Sequence, residues 1–318
     1  MTMRILITGA AGNLGGMLAR YVLDNSGHSL NLMYHEKPVA DDLLADGRAT
    51  ACRCDLADPA SLADACKDAD AIVHFAGVLF APGPESFLPI TNTLYTKNLV
   101  DAALGAGVKK FIIISFPHVE GPTSKERPCT DRQDLVPVSA HAKTRLAAEK
   151  YLFERCKSTA MRPISLRPGM VYGRDVLMIA FARKLAEMRL LGVWSEPLPI
   201  HLISLDDFNA CCLAAVENPE AEGIYPVGDD MPSTLQELLD VCCMQWGLPK
   251  PWRVPLWSVY LSAWACENFA RIFGTRTPFT VDFIRIGTVP YYCDTTRMKR
   301  DLLPRLKYPS LSDGKGIL

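Results

Sequence analysis

The sequence lacks an excess of charge of either sign. Its 34 Lys and Arg stand against 35 Asp and Glu, a formal net charge of -1 over 318 residues. That gives no electrostatic reason to expect nucleic acid or an anionic membrane as partner. It also lacks any C-x-x-C pair. The eleven cysteines are scattered from Cys52 to Cys293, odd in number and without zinc-ligand or dithiol spacing. No metal site is therefore expected, and buried thiols in a reducing cytosol are. Long apolar runs are missing as well. The most apolar stretch, "VPLWSVYLSAWACENFARIFG", is interrupted by Glu267 and Arg271. It reads as a buried amphipathic helix with Trp257, Tyr260, Leu261, Trp264, Ala265, Phe269 and Ile272 in one stripe. The opening "MRILITGA" has neither the apolar region nor the cleavage site of a signal peptide. The expectation is a cytoplasmic chain with a small-molecule substrate and no membrane or nucleic-acid partner.

What is present is alternation. Short apolar segments, "RILIT", "SLNLMY", "ATACRCDL", "AIVHFAG", "KKFIIIS" and "ISLRPGMVYG", are separated by helical stretches. The first helix has the stripe Leu14, Met17, Leu18, Tyr21 and Val22, and later ones fall at "SLADACKDA" and "TNTLYTKNLVDAALGAG". Strands separated by helices predict an α/β fold, a doubly wound parallel sheet with helices on both faces. The pattern loosens after about Gly173. Residues 1–173 are expected to form a dinucleotide-binding domain. Residues 174–318 are expected to form mainly a smaller substrate lobe, with some segments returning to the sheet.

"ITGAAGNLGG" joins the first strand to the first helix and spaces Gly9, Gly12 and Gly15 as G-x-x-G-x-x-G. One glycine permits the tight turn, one lets the backbone approach a pyrophosphate, and one lets helix and strand pack closely. The helix N-terminus then offers N–H groups and a positive dipole end.

These features, with "CDLAD", "VHFAG", "TNTLYTKNLVDAA", "RPGMVYG", "SLDDF" and "GIYPVG" in that order, resemble the extended short-chain dehydrogenase/reductases of the NAD-dependent epimerase/dehydratase type. The resemblance implies a Rossmann domain, a C-terminal substrate lobe, a cleft between them and a homodimer. It implies cofactor contacts from Gly9, Gly12, Asn13, Leu14, Gly15, Asp55, Leu56, Phe75, Ala76, Gly77, Asn92, Arg145 and Pro168. The second strand ends with Tyr34 where an NAD site has an acidic residue, and His35 and Lys37 follow. That leans toward NADP over NAD, with His35 facing a 2′-phosphate.

The family's acid/base Tyr and its Lys sit four residues apart, before L-A-A-E. In "HAKTRLAAE" that register puts His141 at the Tyr and Arg145 at the Lys. A second register, with Ser139 and Lys143, breaks the distance to Glu149. In "SFPHVEG" Ser115 matches the first Ser of the family's run and Phe116 takes the catalytic Ser/Thr position. A His can replace the Tyr as proton relay, since its ordinary pKa lies near neutrality and an adjacent Arg lowers it. Three readings stand: an oxidoreductase on a small, partly apolar carbonyl or hydroxy compound, a cofactor-binding sensor or scaffold without chemistry, and a nucleotide-sugar epimerase or dehydratase. Phe116, His118 and His201 are candidate substrate contacts. Arg183, Lys184 and Arg189 are the only cations grouped as a diphosphate site would need.

Overall fold

The computed structural model describes residues 2–78, 81–275, 277 and 279–318. The apolar runs of the first half become β1 (Arg4–Thr8), β2 (Ser29–Tyr34), β3 (Ala49–Arg53), β4 (Ala71–His74), β5 (Lys110–Ile114) and β6 (Arg162–Pro168). Beyond them come β7 (Met170–Tyr172), β8 (Gly192–Trp194), β9 (Pro199–Ile200), β10 (Leu202–Ser204) and β11 (Gly223–Val227). Seven of these pair in parallel in the order β11-β6-β5-β4-β1-β2-β3. Strands such as "KFIII", buried throughout and apolar after Lys110, suit a sheet covered on both faces.

The cover is supplied by α1 (Asn13–Asn25), α2 (Asp41–Leu44), α3 (Pro59–Cys66), α4 (Pro84–Leu88), α5 (Tyr95–Gly105) and α6 (Ala140–Cys156). A π-helical turn, Pro89–Leu94, joins α4 to α5, so the helix read at "TNTLYTKNLVDAALGAG" starts wider than expected. The strand read at "ISLRPGMVYG" breaks at Gly169, where a Cβ would come within 2.4 Å of the His201 carbonyl oxygen. Past that break β7 leaves the main sheet and pairs with β10.

The C-terminal part contains α7 (Leu177–Glu187), α8 (Leu205–Glu217), α9 (Leu235–Gln245), α10 (Leu256–Phe273), α11 (Val281–Gly287), α12 (Thr296–Asp301) and α13 (Leu311–Gly314). It also holds β12 (Ser233–Thr234), which pairs with β9, and β13 (Trp252–Val254), which pairs with β8. It is tied to the sheet through β11 and through α8. Lys110 of β5 is buried and donates through Nζ to the carbonyls of Ala215, Val216 and Asn218, closing the C-terminal end of α8.

One expectation fails in α10. The stripe read as buried is the exposed side: Trp257, Leu261, Trp264, Phe269 and Ile272 face water, and the fully buried residues of α10 are Ala263 and Ala270. Among the described residues no helix is long and apolar enough to cross a membrane.

Candidate active site

The strand order reverses between β1 and β4, and a crevice opens at the carboxyl ends of strands at such a point. Gly9 leaves β1 with φ +72°, a conformation costly for any residue bearing a Cβ. A Cβ there would also meet the Ala76 nitrogen at 3.0 Å, and one on Gly15 would meet the Gly9 carbonyl oxygen at 2.4 Å. The glycine loop and the segment after β4 are thus pressed together by backbone alone. No capping side chain occupies the N-terminus of α1.

Behind the crevice a buried hydrogen-bond chain joins three elements. The Ala76 N–H donates to Thr8 Oγ1 (3.2 Å), which pairs with His74 Nδ1 (2.7 Å). On its other side His74 Nε2 meets Thr96 Oγ1 (3.0 Å), whose hydroxyl donates to the Asn92 carbonyl (3.0 Å). That order assigns the ring proton to Nε2, and burial pushes the His74 pKa down to about 3, so the ring is neutral. Asn92, in the π-helical turn, accepts from the Val78 N–H through Oδ1 and donates to the Val78 carbonyl through Nδ2, both at 3.0 Å. Its side chain is therefore occupied in shaping the loop at Gly77. Asn13 likewise commits its amide to the backbone, donating to Asp175 O and accepting from Leu177 N, each at 2.8 Å.

The other residues expected at a cofactor are spread along the same edge. Leu14 packs against the core and Phe75 meets Phe208 edge-on at 6.1 Å. Leu56 gives its carbonyl to Asn98 (3.0 Å), and the Asp55 carboxylate accepts from the Ala57 N–H (2.8 Å). His35 is exposed with Nε2 3.7 Å from the Asp55 carboxylate. Pro168 ends β6, opposite Val227.

α6 carries the central pair. Ser139 caps it, its Oγ accepting from the Ala142 N–H (3.1 Å), and Asp282 of α11 accepts from the Ala140 N–H (3.3 Å). Ser139 therefore serves as a cap and Lys143 points to solvent, while His141 and Arg145 are buried. The His141 ring stands edge-on to Phe116 at 4.9 Å. Phe116 also touches the His118 ring at 5.2 Å, and His118 in turn meets Tyr291 at 4.6 Å. Burial, the Arg145 charge and His118 push the His141 pKa down to about 3, and burial pushes His118 down to about 4. Both rings are neutral at physiological pH.

Arg145 is 5% exposed, and its Nε and Nη1 hydrogens find no partner among the described residues. Its Nη2 lies 3.1 Å from the place a Cβ on Gly77 would take. Burial lowers its pKa to about 10, with Glu149 acting the other way, and it stays cationic. Glu149 is not free to pair with it. That carboxylate takes Ser165 Oγ (2.9 Å) and a two-pronged contact from Arg167 (2.6 and 3.2 Å). Arg167 also donates to Glu120 (2.6 Å), which holds Arg132 (2.9 Å) and the N–H groups of Thr130 and Arg132. Two guanidiniums thus share two carboxylates, and among the described residues Arg145 is left without a hydrogen-bonded carboxylate. A buried charge with unmet donors is the mark of a site built for an oxygen-bearing ligand.

Residues of the C-terminal part pack over the start of α6 and the His118 ring. Asp282 caps α6, Ile286 and Val289 line the small space beside His118 and Ser139, and Tyr291 contacts the His118 ring. Ser115 follows β5 directly, its N–H bonded to Leu166 O (2.7 Å) and its hydroxyl buried without a partner among the described residues. His201 has a structural role, since its Nδ1 accepts from the Cys293 N–H (2.6 Å) and its ring packs on Gly228. Of the three cations considered for a diphosphate, Arg183 is paired with Glu187 (3.1 Å) on the exposed face of α7. The sequence reading missed the His74 chain and the Glu120–Arg167–Glu149 cluster. Only the Glu of L-A-A-E and the Arg of "RPGMVYG" hinted at the latter.

Residues 5–228 match the family model described as the NAD dependent epimerase/dehydratase family. The UDP-glucose 4-epimerase of Vibrio cholerae is 25% identical over 290 residues, 86% of this chain and 83% of the relative. Methionine adenosyltransferase 2 subunit beta of Xenopus tropicalis is 26% identical, covering 92% of this chain and 89% of the relative. Among solved structures, UDP-glucuronic acid 4-epimerase from Bacillus cereus in complex with UDP-glucuronic acid and NAD superposes with a TM-score of 0.75. It is 20% identical, with 99% of this chain and 97% of that chain covered. The switch in strand order, the glycine loop and the family match converge, and the chain belongs to the NAD dependent epimerase/dehydratase family.

Proposed function

We propose that the chain is an NAD-dependent enzyme that removes and returns hydrogen at a hydroxyl-bearing carbon of a nucleotide sugar, with His141 handling the proton. The observation that carries this reading is the neutral, buried His141 ring in the catalytic register, one helical turn from Arg145. NAD, when bound, supplies the hydride acceptor. Everything else falls to the chain. A neutral imidazole has one basic nitrogen, so His141 can accept a hydroxyl proton and give it back. The unmet N–H groups of Arg145 suit the hydroxyls of a ribose, presented as a planar fork in place of an ammonium. The glycine loop and the N-terminus of α1 suit a pyrophosphate.

NAD is favoured over the NADP expected from His35 and Lys37. The His35 ring lies beside the Asp55 carboxylate, whose negative charge opposes a 2′-phosphate there. A nucleotide sugar is favoured over a small, partly apolar compound, for which Phe116 was the argument. The relatives named for UDP-sugars support the larger substrate. Turnover of UDP-glucose and UDP-glucuronic acid is the test. His141→Ala should lower it at least about 100-fold and leave NAD affinity within about threefold.

A second reading has its own support, the joint replacement at Phe116, His141 and Arg145 and a relative named as a subunit of another enzyme. It describes a cofactor-binding protein without turnover. Tight NAD binding with neither sugar nucleotide converted would favour it.

A further inference from the structure

α10 carries an apolar ridge that no described part of the chain covers. Its packed side runs through Leu256, Val259, Tyr260, Ala263, Glu267 and Ala270, and only the two alanines are buried. The helix, about 27 Å long, rests on the body through Leu256 and Val259 at its start and through small side chains further along. The outer side presents Trp257, Leu261, Trp264, Phe269, Ile272 and Phe273, each between 54% and 75% exposed. Six such side chains leave on the order of 700 Å² of apolar surface in water. The largest patch on an ordinary monomer is roughly 300–600 Å².

Charge divides across the same helix. Glu267 lies half-buried on the packed side, whereas Arg271 is exposed at heptad spacing from Trp264 and Trp257. Arg271 makes one weak hydrogen bond, to Asn268 Oδ1 at 3.4 Å. Arg285, on the neighbouring α11, is exposed too. The outward face of α10 is thus aromatic and aliphatic, and its fixed charge, Arg271, is positive.

We propose that α10 docks the chain on a bilayer surface that carries anionic headgroups. The ridge lies in the interfacial plane, with Trp257 and Trp264 at headgroup depth and Arg271 and Arg285 against lipid phosphates. Lying on a membrane needs no spanning run, so the interruptions that exclude a span are compatible with it. A second copy fits the face less well. The described α10 offers no exposed carboxylate to meet the Arg271 of a facing copy.

The test is flotation of the full chain with vesicles of phosphatidylcholine, with or without phosphatidylglycerol, alongside light scattering without vesicles. The chain should float with the mixed vesicles and about tenfold less with phosphatidylcholine alone. A Trp257→Ser, Phe273→Ser double variant, altered only at exposed positions, should keep its melting temperature and lose flotation about tenfold or more. Absence of flotation on mixed vesicles overturns the proposal. So does equal flotation on neutral ones. A self-association lost in the double variant, without vesicle binding, overturns it in favour of a second copy.

Discussion

At Arg145 the needs of the fold and of the site diverge. Its guanidinium is buried one turn from His141, and the carboxylate four residues on, Glu149, is committed to Arg167 and Ser165. Replacing an uncompensated buried charge with an apolar side chain of similar length is neutral or stabilising by about 1–3 kcal/mol. Arg145→Met is therefore expected to resist urea better than the parent chain when no cofactor is added. A less stable variant would mean that Arg145 has a structural partner outside the described residues. His141 and Arg145 were legible from sequence because L-A-A-E fixes their register. Arg145's isolation was not, because it depends on Glu120, Glu149 and Arg167, which lie far apart in the chain and meet only through the folded sheet. His201 shows the opposite case. A His in a polar context reads as a substrate contact, yet its ring is used to hold the Cys293 backbone.

Elements follow the same division between local and distant causes. The glycine loop, the strand before it and the helix after it are dictated by neighbouring residues, and they form as read. Asn92 is different: its position was legible, but its work depends on the π-helical turn that aims it at Val78. Asn92→Ala should cost about 1–2 kcal/mol, because the half-buried Val78 N–H and C=O lose partners that water replaces only in part. It should also weaken NAD binding by loosening the loop at Gly77. Thermal melting and a cofactor titration check both, and an unchanged variant would leave Asn92 with neither role. α10 marks the limit of periodicity. A repeat of 3.6 shows that a helix has an apolar side, not that the protein covers that side. The packed side here is marked by small residues, Ala263 and Ala270, which carry little hydrophobic weight in a sequence reading.

For the whole molecule, alternating strands and helices were enough to predict the parallel sheet, and the order around the switch point follows from that topology. Its acid sensitivity comes from burial. His74 and His141 are pushed down to about 3, and His118 and His201 to about 4, all by burial first. Below pH 6.5 the unfolded chain binds protons that these folded rings refuse, so stability is lost as pH falls toward those folded values. Between pH 7.5 and 5.5 the four rings together cost about 5 kcal/mol. Asp229 runs the other way. Burial pushes it up to about 8, so it holds its proton in the fold and contributes about 2–3 kcal/mol over the same interval. The histidines win, by about 3 kcal/mol. A melting temperature roughly 5 °C lower at pH 5.5 than at pH 7.5 is expected. An equal or higher value would show that these rings take up protons in the folded state.

The central claim is that the crevice beside Arg145 is a working NAD site. Calorimetric titration of NAD and NADP into the purified chain and its Arg145→Met variant tests it most directly. Saturable NAD binding and weaker NADP binding are expected, with a loss of at least about tenfold in NAD affinity for Arg145→Met, the value of one charged hydrogen bond. No heat from either nucleotide would contradict the claim. So would NAD binding that Arg145→Met leaves unchanged.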